Sequence, residues 1–331
     1  MSLHEKLIPD VISECSIVRD AISTGGDAND DNNSSTCTRV CSSKKIIEKI
    51  SNITNYTGSP DKVIEKAKQI TKCDTEKCVL EKLQSDIGHA EVKSELMTSF
   101  KVEGPTNDGL LSNINIDAIM RQFAHRFKHF YPYNFHMRDF KQYSINRGRV
   151  VDTPDTFVTM PFASIRGSVV AGETLSSDKI LTAGCVINTD VYSGQGKHWM
   201  AIFIDTRSSV WTIEFFDSCG GTPLVEYVDF LVETKIALEE LISRQNLPNT
   251  VKIVKLSTVR HQRSKTECGL YSLFFIYSRL NGIPADYFLA ARIEDKTMFE
   301  FRHHLFNDPD RPMVKKFEWD KYQREVNIQW E

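Results

Sequence analysis

AGCVINTDVYSGQGKHWMAIFIDTRSSVWTIEFFDS, residues 183–218, holds three apolar runs in succession. "AGCVINTD", "KHWMAIFID" and "VWTIEFFD" have strand length and are rich in β-branched and aromatic residues. The breaks between them, VYSGQG and TRSS, carry Gly and Ser. Strands joined by such short breaks can pair as an antiparallel meander. The middle run, opened by His198, is apolar on both faces, as a central strand is. Helical patterns surround the three runs. The expected class is therefore α+β (mixed α/β): a sheet with helices packed against it.

Downstream, an amphipathic helix is expected over roughly Leu224–Gln245, then a strand at "VKIVKLS". "RHQRSKTECGLYSLFFIYSRL" (Arg260–Leu280) turns from a charged loop into a helix, with Leu270, Leu273, Phe274, Tyr277 and Leu280 at helical spacing. Upstream, "NINIDAIMRQFAHRFKHF" is amphipathic through Ile116, Ile119, Met120, Phe123 and Phe127. The first third is charged and helical, with segments at 44–57 and 61–73 and more over 75–101. A short helix is expected within 1–24, and Thr24–Thr36 reads as a mobile polar loop. "EGPTNDGLLSN" (Glu103–Asn113) marks a boundary. The expected parts are a helical arm over 1–105, a core over 106–306 and an extension over 307–331.

Composition narrows the function. With 331 residues, 40% hydrophobic and 26% charged, the chain is an ordinary globular protein. A formal net charge of −3 gives no reason to expect nucleic acid. No apolar run reaches membrane-spanning length, and the N-terminus lacks a secretory pattern. Both point to the cytosol, where the eight cysteines are expected to be reduced thiols. A rival reading gives Cys37, Cys41, Cys73 and Cys78 to a zinc ion, although those spacings depart from the strongest zinc signatures.

Cys268 stands where the charged loop becomes the apolar helix. The free backbone N–H groups and dipole of a helix N-terminus suit a nucleophilic thiolate. The ordinary reading is a buried structural cysteine. A catalytic cysteine needs a base, and the base an orienter. Among nine histidines, His198 opens the central run. Asp217 closes the next run and could start a turn or hold an imidazole in one tautomer. Gln262, six residues before Cys268, is either a solvated loop amide or a donor to an oxyanion, together with the Cys268 N–H. Trp199 is a core residue or a cover that keeps water from the His–Asp pair. Together, the order His, Asp, Gln, Cys is far harder to reach by chance than any one member.

"GKHWMAIFID", "FFDS" and "HQRSKTECGLYS" resemble the cysteine proteases of the SUMO-deconjugating (Ulp) and adenoviral type. "GLLSNINID", "CVINTD" and "ARIEDKTMFEFRHHLF" extend the likeness to the polyprotein-processing proteases of the African swine fever virus type. The resemblance covers most of 1–306, is strongest from 109 onward and fades in the tail. It implies a papain-like, Ulp-type fold: a small mixed sheet flanked by helices, preceded by a helical arm domain. His198 is then base and acid, Asp217 its orienter, Cys268 the nucleophile, and Gln262 an oxyanion donor. Trp199, Asn113 and Gly269 are the implied substrate-binding residues. No cofactor or metal is implied. The implied partners are viral polyproteins with Gly-Gly-Xaa sites, cut during virion maturation at assembly sites in the host cytoplasm and in the virion. A glycine pair suits a narrow channel because it carries no Cβ.

Two positions depart from the swine-fever type: Asp217 stands where that type has Asn, and Leu270 where it has Pro. A deconjugase acting on Gly-Gly tails, and a non-catalytic binder of such tails, are the alternatives. Gly25-Gly26-Asp27 itself matches Gly-Gly-Xaa, as a self-cleavage site or simply a linker.

Overall fold

The computed structural model describes residues 14–16, 40–105, 109–143, 169–170, 173–174 and 180–307. Most of the expected helix within 1–24, the Thr24–Thr36 loop with Gly25–Asp27, Cys37 and residues from 308 onward lie outside these. The described chain falls into two units. One runs as far as Gly104 and takes in the chain again from His303; the other is Pro105–Arg302. No sequence signal marks that return.

The first unit holds α1 (Lys44–Thr54), α2 (Pro60–Thr71), α3 (Glu76–Lys82), α4 (Gln84–Ile87) and α5 (His89–Ser99). β1 (Val102–Glu103) pairs in parallel with Phe306–Asn307. Helices α1 and α2 end at Asn55 and Lys72, both left-handed at φ 48° and 55°. Ile46, Ile50, Val63, Ala67, Val79, Leu80 and Phe100 form its core. The buried Glu76 carboxylate accepts the Cys41 and Ser42 N–H groups at 2.9 and 2.8 Å, just ahead of α1. An anion there complements the helix dipole.

The expectation of reduced thiols is corrected here. Cys15 is bonded to Cys41 and Cys73 to Cys78, with Cα atoms 5.0 and 5.7 Å apart. Pairing across 26 residues is set by the fold and cannot be read from spacing. These bonds also remove three of the four thiolates of the zinc alternative. A small core gains most from such cross-links, each worth about 2–4 kcal/mol.

The second unit is built on a mixed sheet. α6 (Asn113–Arg126) leads into β2 (Phe130–Pro132), β3 (His136–Met137) and α7 (Phe140–Tyr143). After a two-stranded pair, β4 (Val169–Val170) with β5 (Glu173–Thr174), come β6 (Thr182–Asn188), β7 (Trp199–Asp205) and β8 (Val210–Phe216). These last three form the expected meander, β7 antiparallel to both neighbours. α8 (Val225–Arg244) crosses over to β9 (Thr250–Leu256), which joins β8 in parallel. The sheet order is β2-β6-β7-β8-β9, with β3 also on β6, so β7 is central and wholly buried. α9 (Cys268–Leu280), α10 (Tyr287–Ala290) and α11 (Asp295–Leu305) complete the described chain.

Alternation along the strands assigns the two faces. Cys185, Ile187, Met200, Ile202, Ile213 and Phe215 share a core with Tyr227, Phe230, Leu238 and Leu241 of α8. The intervening residues face α9: Phe216 stacks on Phe275 at 4.7 Å, and Phe203 meets Phe275 edge-on. Every residue of α9 is buried. The sequence showed an apolar face on this helix; the structure surrounds it.

Arg279, near the end of α9, donates to both oxygens of Glu214 at 2.7 and 2.8 Å and to Asp205 Oδ2 at 3.0 Å. Glu214 is wholly buried. Arg279→Met should leave that carboxylate unpaired and lower stability by about 3–5 kcal/mol. Urea unfolding measures this, and a loss under about 1 kcal/mol would contradict it.

Candidate active site

Antiparallel pairing sets the start of β7 beside the end of β8. His198 precedes Trp199, and Asp217 follows Phe216. Their side chains meet, with His198 Nε2 2.7 Å from Asp217 Oδ1. The carboxylate also accepts the Cys219 N–H at 2.8 Å and the Gly221 N–H at 3.1 Å. Asp217 is therefore both turn starter and histidine partner, and the turn aims the carboxylate. The glycines make the turn. Gly220 has φ +74°, and a Cβ on Gly221 would lie 2.5 Å from Asp217 Oδ2.

Cys268 opens α9, buried at 2% exposure, and is one of the groups that act on the His198 charge. Burial alone would push the His198 imidazolium down. Hydrogen bonds to Asp217, Cys219 and Cys268, with the Asp217 charge, outweigh it and hold the group up at about 12. Burial works against the Asp217 carboxylate too, but its bond to His198, the imidazolium charge and the two turn N–H groups hold it below its usual range. The two groups form an ion pair across neutral pH.

Ser218 anchors the loop that carries Gln262. Its carbonyl accepts the His261 and Gln262 N–H groups at 2.8 and 2.9 Å, and its hydroxyl donates to Gln262 Oε1 at 2.8 Å. With Oε1 so held, the amide NH2 is fixed in direction. One of its N–H bonds goes to the Ser264 carbonyl at 3.0 Å. The buried Asp295 carboxylate accepts the Arg263 and Ser264 N–H groups at 3.2 Å and the Tyr271 hydroxyl at 3.0 Å. Gln262 is thus a buried, oriented amide at 3% exposure.

The other histidine near Cys268 in sequence, His261, is structural. It is fully buried, its Nδ1 accepts the Ile293 N–H, and its Nε2 faces the Phe288 carbonyl. Burial pushes it down, toward the neutral form.

Trp199 is 7% exposed and donates to the Leu111 carbonyl at 3.0 Å. It walls one side of a groove of about 280 Å³ shared with Leu111, Asn113, Phe135, Met137 and Tyr192. Asn113 reaches this groove because the Ser112–Asn115 capping box starts α6 there. Gly269 is buried beneath Leu111, where a Cβ would lie 3.1 Å from Leu111 Cβ; it permits that close packing and is not among the residues lining this groove.

The structure thus brings together His198, Asp217, Cys268 and Gln262, with Trp199 and Asn113 on the adjacent groove. Sequence reasoning missed Ser218, Cys219, Asp295 and the groove wall at Phe135 and Tyr192. The first two were legible beside Asp217 in "FFDSCGG". Asp295 and Phe135 carried no signal, being distant in the chain.

The profile "Ulp1 protease family, C-terminal catalytic domain" matches residues 183–317. The chain is 36% identical over 273 residues to a cysteine protease of African swine fever virus (strain Badajoz 1971 Vero-adapted), across 80% of this chain and 90% of that protein. It is 37% identical over 246 residues to a SUMO-1 cysteine protease of the Warthog/Namibia/Wart80/1980 isolate of the same virus, across 72% and 85%. The crystal structure of an African swine fever virus protease superposes with a TM-score of 0.63 at 31% identity, across 93% of this chain and all of that one.

Proposed function

Since the chain belongs to the Ulp1 family of cysteine proteases, on its viral branch, we propose that it is the endopeptidase that cuts viral structural polyproteins at Gly-Gly-Xaa sites during virion maturation. It acts at assembly sites in the host cytoplasm and in the virion. The observation that carries the catalytic part is the His198–Asp217 pair, 2.7 Å across, with Cys268 at the start of α9 among the groups that hold the imidazolium charge.

The reaction follows from that geometry. The Cys268 thiolate, paired with the His198 imidazolium, attacks the scissile carbonyl carbon. The carbonyl electrons move to oxygen, and the oxyanion is met by the Cys268 N–H and the second N–H of Gln262. As the tetrahedral adduct collapses, His198 gives its proton to the departing amine and an acyl-thioester remains. Neutral His198 then takes a proton from water, whose oxygen attacks the thioester. Collapse releases the acid and restores the ion pair. Asp217 keeps the imidazole in one orientation throughout.

The groove beside Trp199 supports a substrate bound as an extended strand, and a Gly-Gly pair suits the close approach to a sulfur at 2% exposure. A panel of Gly-Gly-Xaa peptides tests the reading. Cleavage that survives replacing either glycine by valine would sink it. The name of the Warthog-isolate relative favours a second reading, a deconjugase for ubiquitin-like Gly-Gly tails. A SUMO vinyl-sulfone probe that labels Cys268 as fast as the best peptide is turned over would favour that one.

Gln262→Ala should lower kcat about a hundredfold or more with KM little changed. Ser218→Ala should release the amide and lower kcat about tenfold, the worth of one buried hydrogen bond. Steady-state kinetics check both, and a loss confined to KM would remove the oxyanion role.

A further inference from the structure

Cys219 is the group at this site that the hydrolytic cycle does not use. It is exposed at the tip of the Asp217–Gly221 turn. Its sulfur, a ring nitrogen of His198 and an oxygen of Asp217 all lie within 4.8 Å of one another. The same sulfur donates to Gln262 Oε1 at 3.7 Å. One nitrogen, one sulfur and one carboxylate oxygen converge from two strand ends.

That donor set selects among cations. Mg²⁺ and Ca²⁺ take about six or more oxygen ligands, and one carboxylate cannot supply them. Zn²⁺ takes nitrogen, sulfur and oxygen in a tetrahedron, with bonds of about 2.0–2.3 Å. Such bonds place donors about 3.3–3.8 Å apart, so the His198–Asp217 pair, 2.7 Å across, opens slightly and the Cys219 sulfur, within 4.8 Å of both, moves in to complete the site. Cys219 is the exposed member of the three, and rotation of its side chain away from Gln262 Oε1 brings the sulfur in.

We propose that His198, Asp217 and Cys219 form an inhibitory site for a thiophilic divalent cation of the zinc class, with water in the fourth position. The cation replaces the proton shared by His198 and Asp217, and the Cys219 thiol gives up its own proton on ligation. With the metal on the nitrogen that faced Asp217, His198 keeps its other N–H but would have to become imidazolate to protonate the departing amine, so turnover stops until the metal is withdrawn. The binding stands on geometry alone. The inhibition rests on the proposed role of His198.

The test uses the full chain in thiol-free buffer at neutral pH. ZnCl2 is titrated against a zinc-chelating dye and, separately, against peptide turnover, each variant being scaled to its own metal-free rate. In Cys219→Ala and Cys219→Ser, affinity should weaken and the half-inhibiting concentration rise, both by about tenfold or more. Cys268→Ala should still bind Zn²⁺ within about threefold of the parent, and MgCl2 should neither bind nor inhibit. Two results would overturn the site: both Cys219 variants titrating like the parent, or binding lost in Cys268→Ala alone. Thermal melts exclude misfolding. A chain that cuts no peptide would sink the proposed function, while the dye titration would still read the site.

Discussion

Cys268→Ala is expected to abolish turnover, a fall of about 10⁴-fold or more. The sulfur is the one atom that forms the covalent intermediate, and no side chain close by can replace it. Cys219 also lies close to His198, but it sits on the Asp217 turn and lacks the N-terminal N–H groups of α9 beside it in the chain. Alanine is the best helix former and keeps α9 intact. Thermal melting should therefore stay close to that of the parent while product disappears, and mass spectrometry should find no acyl-enzyme. Retained cleavage of a Gly-Gly-Xaa peptide by this variant would end the assignment. Cys268→Ser should fare little better, because a hydroxyl cannot form the thiolate that the imidazolium is built to pair with.

The second large effect is at Asp217. Asp217→Ala should lower kcat/KM about a thousandfold, by removing the partner that orients the imidazole. Asp217→Asn should cost less, since an amide keeps one hydrogen bond to the ring. Its clearer signature is in pH. Burial pushes the His198 imidazolium down, and the Asp217 charge is among the influences holding it up at about 12. Without the charge, burial gains weight and the alkaline limb of kcat/KM should move to lower pH by about two units or more. An unmoved limb would mean that another group titrates there.

The same pair couples to stability with opposite signs at the two partners. His198 is held above its reference value of 6.5, so its contribution is complete below that pH and fades only as pH rises toward about 12. Asp217 is held below its reference value of 3.8, so its contribution is present above that pH and is lost as pH falls through the lowered value.

The proposed catalytic group was legible because each member sits beside a local signal. His198 opens an apolar run, Asp217 closes the next, and Cys268 begins a helix. Order and spacing then limited the ways they could meet. Ser218 was in view but had no meaning until its carbonyl and hydroxyl were seen holding Gln262, 44 residues away. Gly269 reads as substrate clearance beside a nucleophile, and its close contact with Leu111 could not be read from the sequence.

Alone, the amino-acid order settled what short-range physics controls: alternating apolar runs make the meander, and apolar spacing around a polar seam makes the helix that Cys268 begins. Hydrophobic period and turn chemistry act over a few residues, so they are written locally. Tertiary structure alone decided the Cys15–Cys41 bond, the grip of Asp295 on the loop before Cys268, the burial of α9 on every side and the convergence of Cys219 on His198 and Asp217. Those depend on which distant segments share a space, and closing a loop between them leaves no mark in the residues on either side.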